Sequence, residues 1–220
     1  MTKETLRKAI ALSLTELEHR DSHLFGSSDY EYAGRNPEFS SKKGTTKISR
    51  KLHEVCINHR LAVYLEKNTP AILKHDEKNY PLFVDIEFNR KGNDPKRWQT
   101  QNGKFVEIRP DIIIHNRKNG TEGFNFLVVE CKKAGARKKS LEEDLNKIKK
   151  FIEDNDYSYH YGLQVIYNSG HIGELNFLVK DNNGKAKLDK DIQAELNSHL
   201  ERLKTGKNNG MTFEEIFGEG

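Results

Sequence analysis

Apolar residues recur at two spacings along the chain, and the change between them divides it into helices and strands. Spacing of three and four residues predicts amphipathic helices, and alternate spacing predicts strands with one buried face. The expected helices cover residues 3–18, 47–67, 141–153 and 188–204, and the expected strands cover 81–89, 104–108, 109–116, 124–132, 162–168 and 173–180.

These elements predict an α/β protein with a mixed sheet. The dipeptide Asn119-Gly120 indicates a tight hairpin, and therefore antiparallel pairing of the strands on either side. The expected helix 141–153 separates two strands, which indicates a right-handed crossover between parallel neighbours. A mixed sheet with helices on both faces satisfies both conditions.

Details of the pattern predict three regions. Residues 1–46 form an N-terminal helix and a polar connector, 47–180 a core, and 181–220 a C-terminal helix and tail.

The expected helix 47–67 carries two apolar stripes, which predicts burial on two sides. Ser140 and Glu143 form a capping-box pattern, so the third helix should begin just after Ser140.

Composition is consistent with a globular chain outside the membrane. Charged residues make up 32% and hydrophobic residues 35% of the 220, and no apolar run approaches the roughly 18 residues of a membrane span. The N-terminus lacks the pattern of a signal peptide, so we expect a cytoplasmic protein whose two cysteines are free thiols. The net charge is +4, and local basic clusters at 90–97, 131–139 and 201–209 favour contact with a phosphate backbone.

The stretch "FLVVECKK" (126–133) carries the chemistry of interest. Its apolar run stops at Glu130, and alternation places Glu130 and Lys132 on one face of the strand. Two interpretations are open for this pair: a surface ion pair where a strand leaves the core, or one edge of a catalytic site.

Asp111 decides between these interpretations. The hairpin at Asn119-Gly120 brings the start of strand 109–116 near the end of the strand that carries Glu130. Two carboxylates held close repel each other unless a cation joins them, and Mg²⁺ prefers carboxylate oxygens and phosphate. We therefore expect Asp111 and Glu130 to bind Mg²⁺, for which Mn²⁺ can substitute, with Lys132 positioning or activating a water.

The segments "RPDIII" and "FLVVECKK" resemble the signature of the PD-(D/E)XK nuclease superfamily, which has the restriction-endonuclease-like fold. Pro110-Asp111 matches the PD half, and Glu130-Cys131-Lys132 matches the ExK half. "HEVCINHRLAVYLE", "VDIEFNR", "RPDIIIHN" and "VVECKK" together resemble a group of small bacterial nuclease-like proteins. The resemblance implies a core of order αβββαβ, with the terminal helices as additions, and a Mg²⁺-dependent endonuclease acting on DNA.

The resemblance also implies further site residues. Many members of the superfamily take a metal-binding glutamate from the first core helix, and Glu54 matches it. Some relatives place a glutamine near the site, and Gln164 is the matching residue. Each has a plain alternative, namely a glutamate on a helix surface and an ordinary strand residue.

Three further residues are weaker candidates from position alone. Asp85 and Glu87 lie on the polar face of their strand, where they would extend the site, contact Arg90 or simply face solvent. Lys133 and the basic residues after it are candidates for phosphate contact, with a solvated loop as the alternative.

The resulting hypothesis is a metal-dependent nuclease that hydrolyses phosphodiester bonds in DNA. The resemblance also implies a homodimer, since relatives often act as dimers that make one cut in each strand. Cleavage of RNA or branched DNA is equally compatible with the sequence. The alternative from another class is a catalytically inert nuclease-like module that binds nucleic acid or a protein partner.

Overall fold

The protein is seen in a computed structural model that describes residues 3–25, 54–75, 77–88, 90–91, 94–99, 102–118, 122–133, 136–168 and 170–208. Within these ranges lie the helices α1 (Lys3–Arg20), α2 (Glu54–Asn68), α3 (Lys138–Glu153) and α4 (Lys190–Asn208), with a 3₁₀ turn at Ser22–Phe25. The strands are β1 (Ile72–His75), β2 (Lys78–Pro81), β3 (Phe83–Ile86), β4 (Arg90–Lys91), β5 (Asp94–Pro95), β6 (Arg97–Gln99), β7 (Phe105–Glu107), β8 (Ile112–His115), β9 (Asn125–Lys133), β10 (Tyr161–Asn168), β11 (His171–Lys180) and β12 (Ala186–Leu188).

A six-stranded sheet of order β12-β11-β10-β9-β8-β3 forms the centre. The pair β9 and β10 is parallel, and the other neighbours in this sheet are antiparallel. Helix α3 connects the two parallel strands, as a crossover requires. The expected mixed α/β sheet is therefore confirmed.

Helices cover both faces of this sheet, as the sequence predicted. On one face the apolar residues of α1, α2 and α4 form a core with Ile112, Ile114, Leu127 and Val129. On the other face α3 packs on their neighbours in the sequence, including Ile113 and Val128. Strand β9 lies in the middle with both faces covered, which explains why its apolar run is nearly continuous.

The expected strand 104–108 does not join the central sheet. The part of it that forms a strand, β7, pairs with β6 in a separate two-stranded sheet, and Phe105 remains 66% exposed. Strand β8 has β3 on one side and β9 on the other, so it offers no free edge to β7. The strand expected at 81–89 is shorter than predicted and spans Phe83–Ile86.

The start of α3 differs from the capping prediction, which was wrong. The N-cap is Arg137, with an extended backbone and no hydrogen bond from its side chain. Ser140 lies within the first turn, where its N–H donates to the carbonyl of Arg137. Helix α3 therefore begins before Ser140, and Glu143 cannot complete a capping box there.

Helix α2 is buried along one stripe rather than two. Ile57, Leu61 and Leu65 are fully buried, whereas Val55 is 60% exposed and His59 is exposed. Within the described ranges, the apolar partners of α2 lie on the side that faces the sheet and α1, so the expected burial on two sides was wrong for this part of the helix. Residues 47–53 of the expected helix, most of the connector, the Asn119-Gly120 turn and the tail after 208 lie outside the described residues.

The contact between α1 and α4 includes a buried histidine, which makes the stability of the fold sensitive to acid. His199 is 7% exposed, and its Nε2 lies 2.9 Å from Oγ1 of Thr15. Burial lowers the pKa of His199 to about 4, and the positive charge of Arg202 acts in the same direction. A histidine buried in its neutral form stabilises the folded state above its unfolded pKa of about 6.5, and this stabilisation is lost as the pH falls toward 4.

We therefore expect the free energy of unfolding to fall by about 2 kcal/mol more in the wild type than in His199→Gln when the pH is lowered from 7.5 to 5. Urea unfolding at both pH values measures this difference. His59→Gln, at an exposed position on α2, should behave as the wild type does. Equal acid sensitivity in all three proteins would contradict the prediction.

No helix in the described part of the chain is both long enough and apolar enough to cross a lipid bilayer.

Candidate active site

The hairpin of β8 and β9 brings the two halves of the PD…ExK pattern together. Ile112 pairs with Val129, so Asp111 lies just beyond the paired residues, next to Glu130. The backbone N–H of Cys131 donates to Oδ2 of Asp111 at 2.7 Å. The side chain from the first half is thus bonded to the middle residue of the second half.

Glu130 is buried at the centre of this cluster, with 3% of its surface exposed. Burial raises the pKa of Glu130 to about 8, and the carboxyl group of Asp111 acts in the same direction. The opposing influence is Lys147 of α3, whose Nζ donates to Oε2 of Glu130 at 2.8 Å and lies 2.7 Å from Oε1. Oε1 itself is a buried oxygen with no hydrogen bond of suitable geometry.

Asp111 shares this electrostatic environment. Burial raises the pKa of Asp111, and the hydrogen bond from Cys131 opposes that shift. The charges of Lys147 and Lys132 also lower the pKa of Asp111, whereas the charge of Glu54 raises it. Asp111 therefore has carboxylates and ammonium groups within electrostatic reach.

Glu54 is the first residue of α2 and reaches the same end of the sheet. Its Oε2 accepts a hydrogen bond from the backbone N–H of Lys133 at 3.2 Å. The structure thus brings Glu54, Asp111, Glu130 and Lys132 into one neighbourhood, as the sequence predicted. One carboxylate oxygen of Glu54 is thereby bonded to the backbone of strand β9.

Lys132 is held by a partner that sequence reasoning did not identify. Its Nζ lies 3.2 Å from Oδ2 of Asp144 on α3, and the two side chains are 27% and 14% exposed. Burial alone would lower the pKa of Lys132, but the carboxylates of Asp144, Glu54 and Asp111 together raise it. Lys132 therefore remains a charged ammonium group.

Gln164 lies beside Glu130 on the neighbouring strand and has a structural role here. Its Nε2 donates to the carbonyl of Leu141 at 2.8 Å, and its Oε1 accepts from Asn176 at 2.9 Å. These bonds tie the first turn of α3 to the sheet. Gln164 thereby positions the helix that carries Asp144.

Asp85 and Glu87 are not part of the cluster. Asp85 lies 2.8 Å from Nε2 of His115 and is paired with Arg117, near the other end of β8. Glu87 is exposed, and its Oε2 lies 3.4 Å from the guanidinium group of Arg109. Its backbone N–H donates to the backbone carbonyl of Asp111, so the contact does not involve either carboxylate. The alternative, a solvated strand face, describes Glu87, whereas Asp85 is partly buried and paired.

Asp144 and Lys147 are the two site residues that sequence analysis missed. They are three residues apart on α3, beside the apolar stripe that includes Leu145 and Ile148. When the apolar stripe of a helix packs on a sheet, a charged residue beside that stripe lies close to the polar side chains of the sheet. The position of Asp144 and Lys147 beside this stripe was therefore the feature of the sequence that could have identified them as site residues.

The carboxylates have the chemistry to bind a divalent cation, but their present positions do not form a complete set of ligands. Among the residues that the structure describes, no group of three or more His, Cys, Asp or Glu side chains could hold a metal ion as it stands. Oxygens of Asp111 and Glu130 are nevertheless the hard donors that Mg²⁺ and Mn²⁺ prefer, and Oε1 of Glu130 is buried without a hydrogen bond. The donor set therefore fits a hard cation, provided that the side chains shift.

No protein-family model matches the chain, and a search of curated proteins gives no match either.

Proposed function

We propose that the protein is a metal-dependent nuclease with the restriction-endonuclease-like fold, hydrolysing phosphodiester bonds in DNA. The observation that supports this most is the hydrogen bond between Asp111 and the backbone of Cys131. It joins the PD and ExK halves of the pattern at one end of a sheet. The order α2, β3, β8, β9, α3, β10, which leaves out the small two-stranded sheets, also supports the proposal, because it is compatible with the order that the resemblance implied.

Each residue has a task in this proposal. Asp111 and Glu130, with Glu54 beside them, would hold Mg²⁺ or Mn²⁺, which when bound polarises a phosphoryl oxygen and makes a coordinated water more acidic. Lys132 orients the attacking water and offsets the negative charge that develops on the phosphate. Asp144 keeps the ammonium group of Lys132 in place until substrate arrives. Lys133 and its basic neighbours would contact the phosphate backbone.

The second candidate is an inert nuclease-like module that binds nucleic acid or a protein partner. One observation favours it: the site residues are already paired with one another, Glu130 with Lys147 and Lys132 with Asp144. A site whose charges neutralise one another can persist as a structural network. The two candidates differ in whether a divalent cation produces cleavage.

The test compares wild type, Glu130→Gln and the control Glu142→Gln, which removes a carboxylate from the exposed side of α3. Supercoiled plasmid, linear duplex, single-stranded DNA and RNA are each incubated with Mg²⁺, Mn²⁺ or EDTA. Under the proposal the wild type and Glu142→Gln cut at least one substrate with metal only, and Glu130→Gln does not. If a folded wild type binds nucleic acid but cuts none of these substrates, the inert module is favoured.

A further inference from the structure

Lys147 lies among oxygen atoms of the kind that a hard metal ion binds. Its Nζ lies 2.7 and 2.8 Å from the two carboxylate oxygens of Glu130. The same Nζ donates to the backbone carbonyl of Arg109 at 2.7 Å. A buried carboxylate, a backbone carbonyl and the charge of nearby Asp111 thus surround one ammonium group.

Burial explains why Glu130 needs a positive partner in order to be ionised. A carboxylate that is 3% exposed, as Glu130 is, cannot remain charged in the interior without a counter-charge. Lys147 supplies this charge from α3, and its own side chain is 23% exposed. The side chain of Lys147 is therefore partly accessible to solvent, whereas that of Glu130 is not.

The contacts of Lys147 and those required by a hard divalent cation overlap. Carboxylate and carbonyl oxygens are the preferred ligands of such a cation, and Glu130 presents both oxygens to Lys147. Two positive charges cannot share these oxygens at contact distance without strong repulsion. A divalent cation that takes these oxygens therefore competes with Lys147 for Glu130.

We propose that Lys147 is the resident cation of the site in the absence of metal, and that a divalent cation binds only by displacing it. This inference rests on the proposed function, because it assumes that Glu130 is a metal ligand. Displacement moves the ammonium group toward solvent, through the exposed side of its chain. Lys147 is thus a positioning residue that keeps the carboxylates ordered without metal and weakens the affinity for metal.

A purely structural ion pair makes a different prediction from a displaceable cation. Removing a structural partner destabilises the protein and leaves metal affinity unchanged or lower. Removing a competitor makes metal binding tighter. The affinity for metal, measured without nucleic acid, therefore separates the two roles.

The experiment titrates Mn²⁺ into the full chain without nucleic acid, using calorimetry and the electron paramagnetic resonance signal of free Mn²⁺. The variants are Lys147→Met, which removes the charge, and Lys147→Gln, which retains a hydrogen-bond donor for the carbonyl of Arg109. Both should bind Mn²⁺ about tenfold more tightly than the wild type or more. Lys147→Arg retains the charge and should show no such gain.

Lys149→Met is the matched control, since it removes a lysine two residues further along α3, where the charge acts on Glu153. It should bind Mn²⁺ as the wild type does. Wild-type or weaker affinity in folded Lys147→Gln would overturn the inference. If the Lys147→Met protein does not fold, the Mn²⁺ affinity of Lys147→Gln alone tests whether Lys147 competes with the metal.

Glu130→Gln separates this inference from the proposed function. If Glu130→Gln loses Mn²⁺ binding while the Lys147 variants bind as the wild type does, the metal site stands and only the displacement is wrong. If neither the wild type nor any Lys147 variant binds Mn²⁺ at millimolar concentration, the proposed metal site fails and the inference fails with it.

Discussion

Replacing Lys132 with alanine should reduce cleavage by about 10²–10³-fold and leave the affinity for divalent cations close to that of the wild type. Lys132 carries a positive charge fixed by Asp144 at 3.2 Å, beside the carboxylates that would hold the metal. Such a preorganised charge stabilises the transition state, because it is already oriented when negative charge develops on the phosphate. It is not needed to hold the metal, since an ammonium group is not a metal ligand.

Single-turnover cleavage under saturating Mg²⁺ measures the rate, and Mn²⁺ titration measures the affinity. Lys185→Ala is the control for lost charge, because Lys185 is 69% exposed and paired with Glu153, outside the cluster. It should cut as the wild type does. If Lys132→Ala cuts as fast as the wild type, Lys132 has no part in the chemistry and the proposed mechanism is wrong.

Replacing Phe151 with alanine should lower the free energy of unfolding by about 3–5 kcal/mol, the usual range for a large aromatic residue in a core. Phe151 lies on α3 and is fully buried. Its ring contacts Trp98, Tyr157 and Tyr159, with centroids 4.9, 5.4 and 5.7 Å away. Alanine would remove all three contacts and leave a cavity between α3 and the sheet.

Phe105→Ala is the matched control, since it deletes the same side chain where that side chain is 66% exposed. Its cost should be below about 1 kcal/mol, as for most surface substitutions. Urea unfolding followed by circular dichroism measures both variants. Similar losses in the two variants would mean that α3 is not held by this aromatic cluster. Because α3 carries Asp144 and Lys147, its packing also determines the position of both ion pairs of the site.

The main elements of the sheet were predictable because their signals are local. Strand β9 is a nearly continuous apolar run, and alternate residues of β8 and β9 pack on opposite faces. The proximity of Asp111 to Glu130 followed from the hairpin alone, because a hairpin determines which residues lie opposite each other. Local pattern also predicted that β7 would join the central sheet, and this was wrong. The sequence cannot show that β3 and β9 already occupy both edges of β8.

The amino-acid sequence by itself therefore determined the α/β class, the mixed sheet and the meeting of Asp111, Glu130 and Lys132 at one end of it. Only the tertiary structure decided the partners of these residues. Asp144 and Lys147 come from a helix that follows the strand in sequence and returns over the sheet, at a distance and rotation set by packing of Ile148, Phe151 and Ile152. Spacing along a chain determines which residues share a face, but the approach of two packed elements depends on the volume and shape of every side chain between them.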